Sequence, residues 1–130
     1  MVSMLYVALT GWLICFLSIQ VIKARRKGLI KYGDGGDERL QRARAAHSNC
    51  TEYAPIALLL LIGFEHNNGP LWLLHIFGLI FVIGRCYHAA GILNDSFNGR
   101  AIGMHATLWP IIALGVLNLW LLPWGSVLGL

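Results

Sequence analysis

Met1 to Ile22 contains no Asp, Glu, Lys or Arg. A helix of that length, rising about 1.5 Å per residue, crosses a hydrocarbon layer of about 30 Å. A cleaved secretory signal would carry its positive charge ahead of the apolar run and a small-residue cleavage site after it, whereas here Lys23, Arg25, Arg26 and Lys27 follow the run. The segment therefore reads as an uncleaved first transmembrane helix. The remaining composition agrees, with 57% hydrophobic residues and 12% charged, against about a quarter charged in soluble chains.

Three further apolar stretches follow. The second, Tyr53 to Phe64, is too short to span alone, so its helix must start upstream and carry Asn49 and Glu52 to membrane depth. Leu71 to Gly84 leads into Arg85 and His88, and Ala101 to Leu130 again lacks Asp, Glu, Lys and Arg. Runs of about twenty residues are helices, since a barrel strand needs only about nine to eleven. The expectation is a single all-α membrane domain over residues 1–130, a bundle of four transmembrane helices at 1–22, 39–64, 70–91 and 101–124. The one substantial loop, 23–38, contains Gly33-Asp34-Gly35-Gly36-Asp37. Asp37 can cap the helix that begins near Glu38, and no Gly-Lys-Ser/Thr ending makes the loop a phosphate-binding one.

Eight of the ten Lys and Arg lie between Lys23 and Arg44; Arg85 and Arg100 sit at the rim of the third loop, and the middle loop has none. The positive-inside rule puts both basic loops in the cytoplasm and both termini in the periplasm. The +4 net charge is thus used in topology and attraction to anionic lipid, not in nucleic-acid binding. Trp120 and Trp124 read as lipid-facing interfacial anchors, with Tyr6 and Trp12 doing similar work on the first helix.

Glu52 requires a partner, because a carboxylate at membrane depth costs several kcal/mol without one. Arg42, Arg44, Arg85 and Arg100 are the candidates. On a helical wheel Arg44, Asn49 and Glu52 share one broad face, and Arg85 and His88 stand one turn apart. Two readings are open. These groups are polar glue between helices, worth about 1 kcal/mol each, or they line a pocket at the cytoplasmic rim. Several guanidiniums with one carboxylate and one amide suit a small ligand carrying carboxylates and an ammonium.

Arg44-Ala45-Ala46-His47-Ser48-Asn49-Cys50-Thr51-Glu52-Tyr53 resembles the second-helix signature of the MAPEG family, the membrane-associated proteins in eicosanoid and glutathione metabolism, and Gly84-Arg85-Cys86-Tyr87-His88 resembles its third-helix signature. The Tyr32 to Gly36 loop and four-span plan are similar to those of small bacterial inner-membrane members. The resemblance implies a homotrimer that binds glutathione at subunit interfaces on the cytoplasmic side and activates its thiolate against hydrophobic electrophiles, as a transferase or peroxidase. By the same resemblance Asn49, Glu52, Tyr53, Arg85 and His88 are glutathione contacts, with Glu52 at the γ-glutamyl amine, and Arg100 stabilises the thiolate. Two positions depart from the pattern. Ala45 stands where the family commonly has arginine, leaving Arg44 and Arg42 as substitute carboxylate ligands, and Ile92 stands where it often has tyrosine. A non-catalytic relative or a small four-span transporter is the alternative.

Cys15, Cys50 and Cys86 have no CxxC spacing and read as small apolar residues. His75 and His105 lie within apolar runs without i,i+4 partners, so no metal or haem site is expected.

Overall fold

The computed structural model describes residues 1–129 and is all-helical. Four long helices run in alternating directions: α1 (Ser3–Gly28), α2 (Glu38–His66), α3 (Leu71–Leu93) and α4 (Phe97–Leu121), followed by a single turn, α5 (Trp124–Leu128). By length and composition α1, α3 and α4 are apolar enough to cross a membrane. The first half of α2 carries Arg39, Arg42, Arg44 and Glu52, so it reaches membrane length without membrane composition.

The starts of α1, α2 and α4 each have an identifiable hydrogen-bonding cause. The Asp37 carboxylate accepts from the Leu40 N–H at 2.8 Å and caps α2. Ser96 caps α4 through Gly99 N–H. α1 has no side-chain cap of its own. Its first donors are satisfied from the far end of α2, where Glu65 accepts from Val2 N–H at 2.5 Å and Ser3 N–H at 2.8 Å. This contact sets the α2–α3 turn beside the start of α1. At the opposite end Arg42 lies 3.8 Å from Asp95, which brings the α1–α2 and α3–α4 loops to one side.

Three buried clusters stack along the bundle. Tyr6, Leu61, Phe64, Leu74 and Leu114 fill the end nearest Glu65; Ala54, Ala57 and Phe81 form the middle; Leu17, Ala46, Cys50 and Ala89 close the basic end. α3 and α4 make the most extensive pairing, because two glycines allow near backbone contact. A Cβ on Gly103 would stand 2.5 Å from the His88 backbone nitrogen, and one on Gly91 would stand 2.5 Å from that of Arg100.

Large apolar side chains cover the outside, Trp12, Trp72, Trp109 and Trp120 among them, as lipid contact requires. Tyr6 corrects the sequence expectation of a lipid-facing anchor. It is buried, its ring lies against Gly78, and its hydroxyl is 2.7 Å from His75 Nδ1. A phenol at that depth needs a hydrogen-bond partner, and the third helix supplies one.

Candidate functional site

Arg85 is the largest fully buried side chain in the bundle. Its guanidinium donates through Nη1 to Thr107 Oγ1 at 3.0 Å and through Nη2 to Asn49 Oδ1 at 2.6 Å and His88 Nδ1 at 3.0 Å. These bonds join α2, α3 and α4. Arginine has only donors, so His88 Nδ1 must accept, which leaves a neutral ring with its proton on Nε2. The Thr107 hydroxyl in turn donates a hydrogen bond to the Gly103 carbonyl at 2.9 Å. The Tyr53 ring centroid lies 5.9 Å from the guanidinium carbon, within cation–π range.

Among the described residues no carboxylate pairs with Arg85, and its Nε has no hydrogen-bond partner. A buried cation with neutral partners leaves its charge uncompensated, and of those partners half-buried Asn49 makes the shortest contact with it.

One turn beyond Asn49, Glu52 is exposed on the flank of α2. Its hydrogen-bond partner is Ser48, whose hydroxyl donates at 2.8 Å, and among the described residues no arginine pairs with it. Ser48 also lines a cleft of about 500 Å3 between α1 and α2, with Arg25, Gln41, Arg44 and Ala45. Arg44 lies 3.9 Å from Asp34, and Arg25 donates to the Gly33 carbonyl at 3.0 Å. Both cations are therefore tethered to the glycine loop above the cleft.

The structure joins Asn49, Tyr53, Arg85 and His88 into one cluster and puts Glu52 and Arg44 on the adjoining face. Arg42 stands apart, paired with Glu38 at 3.1 Å and Asp95 at 3.8 Å. Arg100 is exposed in the first turn of α4, and its side chain makes no hydrogen bond or ion pair among the described residues. Ile92 packs against the Leu17, Ala46, Cys50 and Ala89 cluster, which occupies its position with core packing. Arg25, Ser48 and Thr107 adjoin the candidate site although the sequence does not single them out. Arg25 is one of many topology-setting charges, and hydroxyls on apolar helices carry no motif.

The model of the MAPEG family matches residues 3–120. Inner membrane protein YecN of Escherichia coli K12 is 38% identical over 130 residues, covering 100% of this chain and 99% of its own length. The protein of the same name from Escherichia coli O6:H1, strain CFT073, matches to the same extent.

Proposed function

The chain belongs to the MAPEG family, and from that premise we propose that it is an inner-membrane glutathione transferase or glutathione-dependent peroxidase acting on hydrophobic electrophiles dissolved in the bilayer. Many members of the family bind glutathione. The observation that carries the reading is the pairing of Arg85 with Asn49, one turn from exposed Glu52. An amide held in fixed orientation, an exposed carboxylate and a cleft containing Arg25 and Arg44 suit the amine and carboxylates of glutathione. Arg44 and Arg25 take the place of the arginine that Ala45 lacks.

Self-association, in this reading as a homotrimer, is supported by the exposure of the same face. An ionised Glu52 pointing at lipid would cost several kcal/mol, so a second copy covers α2 and encloses the ligand between subunits. Arg100, unpaired among the described residues, then serves the thiol of glutathione across that interface. A thiol of pKa about 8.5 is mostly protonated at neutral pH, and a neighbouring guanidinium lowers that value by about 1 to 3 units. The thiolate attacks the electrophilic carbon, the C–S bond forms and the leaving group departs with the bonding pair. His88, with its remaining Nε2–H, and Tyr53 orient the peptide. Two basic loops on one side favour cytoplasmic glutathione and periplasmic termini.

The reading is tested with purified protein, glutathione and a chlorodinitrobenzene. Conjugate formation, together with thiolate absorbance on adding glutathione at neutral pH, is the expected result. Glutathione binding without either signal would instead favour a non-catalytic relative, in which Ala45 and Ile92 replace the family's arginine and tyrosine. A periplasm-active reporter fused after Leu130 should be active, and one in the Gly33 to Asp37 loop silent.

A further inference from the structure

The basic end of the bundle carries a second cavity, of about 560 Å3, which shares no lining residue with the cleft beside Ser48. Lys23 and Lys27 from α1 converge there with Arg39 and Arg42 from α2, against the single carboxylate of Glu38. Arg42 is already paired with Glu38 and Asp95. Lys23, Lys27 and Arg39 make no ion pair among the described residues. Topology requires basic residues near this end, but does not require them to face one another around a hollow, where mutual repulsion is unfavourable. The floor is apolar, built from Ala24, Ala43 and Leu93.

The level of the cavity narrows the ligand. Lys23 is the first charged residue after the apolar run of α1, so the hollow lies where hydrocarbon gives way to headgroups. At 100° per residue, Trp12, Phe16, Gln20, Lys23 and Lys27 fall within about 80° of one another on α1. Trp12 and Phe16 are 71% and 50% exposed. An apolar track thus runs down from a cationic hollow on the same helix face. Lysines act as point charges towards a tetrahedral anion and do not impose the planar fork that suits carboxylates.

We propose that this cavity binds a phosphate ester anion, supplied by the phosphodiester of an anionic glycerophospholipid whose acyl chain lies along Phe16 and Trp12. Basic pockets between membrane helices recognise anionic headgroups in this way. Soluble phosphate shares the chemistry but has no use for the apolar track.

The test offers delipidated protein in detergent either phosphatidylglycerol or phosphatidylcholine, reads retained lipid by native mass spectrometry, and adds inorganic phosphate as competitor. Phosphatidylglycerol should be retained selectively and resist phosphate. Lys23→Gln/Lys27→Gln should lose about fivefold in retention per removed charge, Lys23→Arg/Lys27→Arg should keep it, and Arg26→Gln/Lys31→Gln, which removes equal charge outside the cavity, should behave as wild type. Melting temperatures of the variants establish that the bundle is intact. Equal retention of the two lipids, or equal loss in both glutamine pairs, would overturn the site. Displacement of lipid by inorganic phosphate would overturn the lipid as its ligand.

Discussion

Arg85 Nη2 and Asn49 Oδ1 stand 2.6 Å apart although 36 residues separate them in sequence. The bond ties α3 to α2 where buried Arg85 meets the proposed ligand face. Replacing Arg85 with lysine keeps the charge but cannot reach Asn49, Thr107 and His88 together. The expected cost is about 2–3 kcal/mol of stability, read as a fall in detergent melting temperature. Asn49→Ala should cost less, since its loss leaves two of the three bonds.

Glu52→Gln tests a binding role against a structural one. Ser48 can still donate to the amide oxygen, so the melting temperature should stay within about 2 °C of wild type. Glutathione affinity, measured by calorimetry, should fall about tenfold or more with loss of the charge-assisted bond to the amine. Unchanged affinity accompanied by a collapse in stability would make Glu52 a structural residue.

Among the described residues Arg100 has no hydrogen-bond or ion-pair partner to lose. Arg100→Ala should therefore leave folding intact and most glutathione binding in place, while lowering kcat towards electrophiles. The thiolate absorbance should titrate about 1 pH unit or more higher than in wild type, and lysine should restore only part of the shift. Superimposable titrations of variant and wild type would remove Arg100 from the mechanism.

Gly103→Ala would force a methyl group against the His88 backbone and should cost about 1–3 kcal/mol. Gly115 is on the same helix, and a methyl group there would meet nothing within 4 Å, so Gly115→Ala should be neutral or gain up to about 1 kcal/mol from helix propensity. Thermal melts of the pair separate close helix approach from composition.

Glu65 lies beyond the apolar part of α2. The Ser3 side chain and backbone N–H, with the Val2 N–H, favour its anion and hold the carboxyl down to about 2. A depressed carboxylate stabilises the fold above its ordinary range, and that contribution is lost as pH falls from about 4.5 towards 2. Amide exchange at Val2 and Ser3 should accelerate across that window, and Glu65→Gln should flatten the dependence. Exchange independent of pH in wild type, after correction for intrinsic rates, would remove the cap from the stability of α1.

What the sequence makes legible follows from periodicity, length and charge sign. The helical class, the Asp37 cap and the likeness of the Asn49 to Tyr53 and Arg85 to His88 segments to one family all rest on local sequence. Pairings across the bundle do not show there. Glu65 looks like part of a polar turn because its partners are backbone N–H groups at the other end of the hairpin, and a backbone donor leaves no trace in side-chain identity. Tyr6 looks like an interfacial aromatic for a similar reason, since only the third helix reveals His75. Arg85 looks like a rim residue by its place near a span end, whereas the glycines of α3 and α4 draw the helices close enough to enclose it.

The contact between Glu65 and the first turn of α1 also bears on how the protein is made. The Ser3 N–H waits for an acceptor 62 residues further along the chain, and until that residue has been synthesised and brought to the side where α1 begins, water alone satisfies it. The first two helices thus acquire their closing bond as a hairpin, and a nascent chain halted before Glu65 would hold α1 with an open end. Completion of the second crossing is in this sense the step that finishes the first.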